Sequence, residues 1–358
     1  MDSDAYPEWS AALAQLAASS GVVLVVGASD AGKTTFCTLL AAQAHRSGRS
    51  VAVVDADIGQ SEIGPPACVG AGRVHAPPNA LSDIRAERLV FVGATSPRDR
   101  ALEQTTATRV AVDAMRSHAP DLIVVDTTGY IAGVEAQQLK QAKIDLLAPS
   151  HLVLIQRGAE CEPLARSLLL PQSLQAHTLS TAKAITRKPS SLRKLRRAAR
   201  FARYFERSSV QTLDLEGVVL AGAWLGSGAV VEPRVRLYLE RTLGAPVLHA
   251  ETANGRLCVV TKDARPTQKA LDAVTQDLHV RAVTLTPVAL YKHLVVGLTD
   301  GEGATLGIGL IDSLDFRRMQ IGIRTPVRAQ ASVRGIRFGV MYVLPDGTEL
   351  GAATPGTF

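Results

Sequence analysis

Residues 21–34 constrain this chain more than any other stretch. An apolar, β-branched run, GVVLVVG, ends at Gly27 and passes through Ala28, Ser29, Asp30, Ala31 and Gly32 into Lys33 and Thr34. From there TTFCTLLAAQAHR has the spacing of a helix. A buried strand, a glycine-bounded turn of this length and a helix opening on Lys-Thr read as a phosphate-binding loop. Successive backbone N–H groups and the helix N-terminus form an anion nest. The lysine reaches the β- and γ-phosphates, and the threonine hydroxyl is a hard oxygen ligand for Mg²⁺. Gly27, Ser29, Asp30, Ala31, Gly32, Lys33, Thr34 and Thr35 are the expected nucleotide-binding residues, with Lys33 facing solvent.

The surrounding sequence has the grammar this loop requires. Apolar strands are expected at 51–57 (VAVVDAD), 88–93 (RLVFVG), 122–129 (LIVVDTTG) and 151–156 (HLVLIQ). Helical patterns lie at 8–19, 101–118 and 135–147. Strands apolar on both faces that alternate with helices predict an α/β fold: a P-loop NTPase parallel sheet flanked by helices. After Asp214 the segments RLCVVT, HLVVGLT, LGIGLI, QIGIRT and RFGVMYVL are short, and several are divided by turn signals at 299–301 and 345–347. They predict a C-terminal, mostly antiparallel β domain. The expected division is an N-terminal helical extension (1–20), a P-loop domain (21–213) that includes an Arg-rich helix at about 187–207, and the β-rich domain (214–358).

Composition narrows the class. In 358 residues, 46% hydrophobic and 20% charged, disorder is excluded and a sizeable core is affordable. No run of about 18 uncharged apolar residues suggests a membrane span. MDSDAYPEWS lacks a basic leader, so a cytoplasmic location is expected. Cys37, Cys68, Cys161 and Cys258 are far apart, and the eight histidines show no paired ligand spacing. The net charge of +6 is local: Arg187–Arg207 holds nine Lys or Arg and one acid, Glu206. Arg193, Arg197, Arg200 and Arg203 fall at helical intervals and form a cationic stripe, suited to a lid over a phosphoryl group or to a nucleic-acid backbone.

The carboxylates speak to reaction type. Asp55 and Asp57 end the second strand, where the carboxyl end of a parallel strand faces the phosphate loop. One can hold Mg²⁺, and one can accept a proton from a hydroxyl nucleophile. Asp126, at the end of another apolar strand, can hold magnesium-bound water. No guanine-specifying NKxD element is present, which favours an adenine nucleotide.

These motifs occur in a recognisable order: the phosphate loop, DADIGQSEIGPP, FVGATSP, DTTGY, the RxxxRxxRxxxYF segment and TPVRAQASVRGIRFGVMYVLPDGTELG. Together they resemble the polynucleotide 5′-hydroxyl kinase family, which includes the RNA-kinase subunit of the pre-mRNA 3′-cleavage machinery and the pre-ribosomal-RNA processing kinases. No stretch like the large N-terminal β domain of eukaryotic members precedes the phosphate loop here, so the compact prokaryotic form is the expectation. The resemblance implies ATP and Mg²⁺ as cofactors and a nucleic acid with a 5′-hydroxyl end, RNA or DNA, as acceptor. It implies Lys33 on the phosphates, Thr34 on the metal and Asp57 as the base that activates the hydroxyl, with Gln60 alongside; with the carboxylate reading above, the expected metal residues are Thr34, Asp55 and Gln60. Thr95, Ser96, Gln60 and Arg193 would hold the acceptor, and Arg197 and Arg200 would act from the lid. Tyr130 stands where the family commonly carries a Trp that stacks on a base, and Asp126 replaces its Asn. Two rival readings accompany the kinase: a nucleotide-switched RNA-binding or assembly ATPase, and a small-molecule kinase or ligase on the same core.

Overall fold

The alternation of apolar runs and helical patterns is realised as stacked layers. The computed structural model describes residues 6–98, 100–328 and 332–353. Residues 1–5 of the expected N-terminal extension and 329–331 of the C-terminal motif lie outside the described residues. Two compact units are present, Met1–Arg200 and Phe201–Phe358. Among the described residues no helix is long and apolar enough to cross a membrane.

The first unit runs α1 (Ser10–Ala17), β1 (Gly21–Gly27), α2 (Lys33–Arg46), β2 (Val51–Ala56), β3 (Cys68–Arg73), β4 (Arg88–Phe91) and α3 (Ala101–Arg116). It continues through β5 (Leu122–Thr127), α4 (Val134–Leu147), β6 (His151–Gln156), α5 (Glu162–Ser167) and β7 (Gln175–Ser180) into α6 (Ser190–Phe205). One sheet has the order β4-β3-β2-β5-β1-β6-β7. Five of its strands pair in parallel, whereas β3 and β4 are antiparallel at one edge. The segments before β3 and β4 hold no crossover helix of the kind a parallel return needs, so the chain folds back on itself there. Period-two alternation divides β1 between two cores. Val22, Leu24 and Val26 join Ala107, Ala111, Met115 and Ile144 of α3 and α4, while Val23 and Val25 join Trp9, Leu13, Phe36 and Leu40 of the α1–α2 side.

Phe201–Phe358 contains β8 (Ser209–Asp214), β9 (Val219–Ala221), β10 (Ala229–Val230), α7 (Pro233–Leu243), β11 (Val247–Ala253), β12 (Arg256–Thr261), α8 (Gln268–Asp277) and β13 (Ala282–Pro287). It ends with β14 (Leu294–Thr299), β15 (Thr305–Asp315), β16 (Gln320–Thr325), β17 (Gly335–Val343) and β18 (Glu349–Ala352). The larger sheet, β18-β17-β14-β15-β16-β8, is antiparallel along that path. A smaller sheet, β10-β11-β12-β13, includes one parallel pair, and α7 packs on α8 and β11.

The sequence-based boundaries differ from these units at two places. Residues 209–213, placed with the P-loop domain by the sequence, belong to β8 (Ser209–Asp214), which pairs with β16 in the second unit, and the two units divide within α6. Trp9, Leu13 and Leu16 are fully buried in the first core, so the leading helix is part of that unit and not an appendage.

Candidate active site

The phosphate loop takes its shape from two left-handed residues. Asp30 has φ 59° and Gly32 φ 98°, and α2 begins at Lys33. The backbone between β1 and α2 thus turns its N–H groups toward one concavity, with the helix N-terminus behind it. A cavity of about 540 Å³ opens there, lined by Ser29, Lys33, Thr34, Asp57, Gln60 and residues of α6. Lys33 departs from expectation: it is 5% exposed, and Nζ donates to the Ala28 carbonyl at 2.9 Å.

The carboxylates divide their work. Asp55 and Asp126 are register partners on the adjacent parallel strands β2 and β5, and both are buried. Asp126 Oδ2 accepts the Thr34 hydroxyl at 2.6 Å, and its Oδ1 is buried without a hydrogen-bond partner among the described residues. Burial raises the Asp126 carboxyl to about 6, against the pull of Lys33. Two hard oxygen donors side by side, one with an unmet lone pair, fit a divalent cation at Thr34 and Asp126. Asp55 is engaged elsewhere. Its Oδ1 accepts the Asp57 amide at 3.0 Å, and its Oδ2 accepts the amides of Glu62 and Ile63 at 2.5 and 3.0 Å. Burial and the Asp126 charge push its pKa up. Asp55 therefore ties down the turn after β2, and it does not line the cavity. Asp57 does, with Oδ1 accepting the amides of Gly59 and Gln60 at 3.1 Å each.

The N-terminal half of α6 lies across this turn. Arg193 pairs with Asp30 at 2.7 Å, and Gln60 Nε2 donates to the Arg193 carbonyl at 3.2 Å. Gln60 Nε2 also donates to Gly59 O at 2.9 Å, so its amide nitrogen serves the turn and the helix. Arg200 meets Glu62 at 2.5 Å. Arg193, Arg196 and Arg200 line the cavity, at spacings of three and four on one helix face. Arg197 is not among the lining residues, and Arg196, which sequence reasoning passed over, is.

Thr95, Ser96 and Tyr130 stand outside that cavity, and Thr95 touches the turn that carries Asp57. A Cβ at Gly59 would lie 2.7 Å from the Thr95 carbonyl, so only glycine lets the Asp57 turn sit against the Thr95 segment. Tyr130, together with Pro97 and Arg98, lines a second cavity of about 870 Å³ between α3 and α4.

Beneath the β5 turn lie two residues that sequence reasoning missed. Lys140 and Lys143 of α4 are fully buried. Lys140 Nζ donates to Thr127 Oγ1 at 3.0 Å and to the Thr128 carbonyl at 3.1 Å, and so fixes the turn that carries Tyr130. Lys143 Nζ makes no hydrogen bond among the described residues; the charges acting on it are Asp57 and Asp126. A signal was available: α4 buries Ala136, Lys140, Lys143 and Leu147, so two lysines occupy the apolar stripe of the helix.

Known proteins of one family resemble this chain over most of its length. A family model described as mRNA cleavage and polyadenylation factor CLP1 P-loop matches residues 27–207. A polyribonucleotide 5′-hydroxyl-kinase of Pyrococcus furiosus is 30% identical over 329 residues, covering 92% of this chain and 89% of the relative. One from Methanocaldococcus jannaschii is 29% identical over 336 residues, covering 92% and 89%. Wild-type Clp1p, solved in complex with a segment of Pcf11p, shares the fold over 92% of this chain and 76% of its own, with a TM-score of 0.54 at 11% identity.

Proposed function

This chain belongs to the CLP1 P-loop family, and from that premise we propose that it transfers the γ-phosphoryl group of ATP to the 5′-hydroxyl end of a polynucleotide, RNA or DNA. The observation that carries this reading is the single cavity that gathers Lys33, Thr34, Asp57 and three arginines of α6. Such transfer asks little covalent chemistry of a protein; it asks for alignment and neutralisation of charge. Lys33 exchanges one carbonyl for charge-assisted bonds to the phosphates. Thr34 and Asp126 would hold Mg²⁺, which when bound would supply charge neutralisation for the transferring phosphoryl group. Asp57, its Oδ1 fixed by two backbone amides, takes the proton of the attacking hydroxyl. Asp55 and Gln60 shape the metal surroundings through the turn they organise. Arg196 and Arg200, with Arg197 one position round the helix, stabilise charge on the moving group. Thr95 and Ser96 hold the terminal phosphodiester, Arg193 supports the acceptor side through Gln60, and Tyr130 stacks on a base.

The test is direct. Oligonucleotides of RNA and DNA with 5′-hydroxyl ends, incubated with γ-labelled ATP and Mg²⁺, should gain label at the 5′ end. Lys33→Ala should abolish that labelling while leaving the circular-dichroism spectrum unchanged. Release of inorganic phosphate with no label on the oligonucleotide would favour the nucleotide-switched binding protein, and labelling by Lys33→Ala at the wild-type rate would refute the kinase reading.

A further inference from the structure

The groove between α3 and α4 is larger than the nucleotide cavity, and the reaction as described leaves most of it unused. Its walls come from Pro97, Arg98 and Leu102 on one side and from Ala142 and Leu146 on the other, with Tyr130 beside them. Leu102 is 78% exposed and Leu146 42%, in a unit that otherwise packs most of its leucines away. A concavity of this size with exposed apolar walls is the kind of surface that ligands and partners use.

Continuity says which ligand. The Asp57 turn touches the Thr95 segment at Gly59, and the chain runs from Thr95 and Ser96 directly into Pro97 and Arg98 on the groove wall. Tyr130, assigned to a base, lines the same groove. An acceptor whose 5′-hydroxyl lies at Asp57 and whose first base lies on Tyr130 is thereby led between α3 and α4. The exposed neutral polar side chains there, Thr106 and Gln138, can meet base edges, and the leucines offer flat apolar contact. Arg98 is a cation of the groove wall next in the chain to the phosphodiester segment, and the Tyr130 hydroxyl donates to Glu135 at 3.5 Å.

We infer that this groove binds the bases of a single-stranded polynucleotide that follow the one on Tyr130, so that the enzyme prefers strands several nucleotides long over a dinucleotide. The inference rests on the kinase reading. It is tested by measuring kcat/KM for 5′-hydroxyl RNA of two, three, four and six nucleotides. For the wild-type protein the six-to-two ratio should be about ten or more, given the usual worth of a base contact. Leu102→Glu and Ala142→Trp, which charge and fill the groove, should bring the ratio close to one. A 4-thiouridine at the third position should crosslink within residues 97–146. Labelling of every length with a wild-type ratio near one overturns the groove assignment and leaves the kinase standing. Failure to label any length removes the kinase reading itself. An unchanged ratio in both variants overturns the inference; variants that change the oligomeric state while crosslinks fall elsewhere make the groove an interface between copies and overturn it as well.

Discussion

A charged amine without a hydrogen-bond partner in a protein interior opposes folding, and Lys143 is such a group. Burial lowers its pKa from 10.5 to about 8, although Asp57 and Asp126 pull the other way. Between those two values the unfolded chain keeps a proton that the folded chain has released, so stability rises with pH across that window. Below about 8 both states are protonated and the folded state carries the whole penalty, on the order of 3 kcal/mol. Lys143→Met should therefore be more stable than wild type at pH 7 by about 1–3 kcal/mol and should lose the rise between pH 8 and 10. Urea unfolding at a series of pH values checks both. A variant less stable at pH 7 would mean that the amine is well paired and its cost imaginary.

The arginine helix shows what an element adds to its residues. Sequence periodicity put Arg193, Arg197 and Arg200 on one stripe, but a helix of 3.6 residues per turn lets either 196 or 197 share a face with 193 and 200. Which does so depends on the rotation of α6 on its support. The Arg193–Asp30 and Arg200–Glu62 pairs set that rotation, and they turn Arg196 to the cavity. Both pairs are about one-third exposed on the arginine side, so they orient the helix more than they stabilise it. Arg200→Ala should lower kcat by about 10²–10³ with little change in oligonucleotide affinity, as for loss of a donor to transition-state charge. Arg197→Ala should lower it less than about ten-fold. Turnover and affinity of the two variants, measured side by side at two salt concentrations, decide the matter. Should Arg197→Ala be the more damaging, α6 works from a different face than the one seen here.

Across the molecule's first unit, Trp9 joins parts far apart in the chain. Its indole donates to the Ser180 carbonyl at 2.8 Å, its ring meets Phe36 edge-on with centroids 5.5 Å apart, and a Cβ on Gly32 would lie 2.8 Å from it. The leading segment thus backs the phosphate loop, the start of α2 and the end of β7 together. Trp9→Ala should cost about 3–5 kcal/mol, read by denaturant unfolding, and should raise the KM for ATP. A loss below about 1 kcal/mol would show that the segment merely covers the core. That role was not legible from residues 8–19, whose helical pattern says that a face is buried and not against what. Other features were legible because they are local. The strand–loop–helix at 21–46, the buried runs ending in Asp55, Asp57 and Asp126, and the cationic helix each depend on neighbouring residues and a fixed period. From these alone the α/β class, the phosphate chemistry and the kinase resemblance followed. What only the tertiary structure decided are the pairings between distant segments: Asp126 and not Asp55 beside Thr34, Arg196 on the cavity face, the antiparallel edge at β3 and β4, the second-unit strand at 209–214, and the lysines under β5. The physical reason is common to them. Periodicity tells which face of an element leaves water, but the identity of the partner depends on register and rotation, which packing settles only when all the elements are in place.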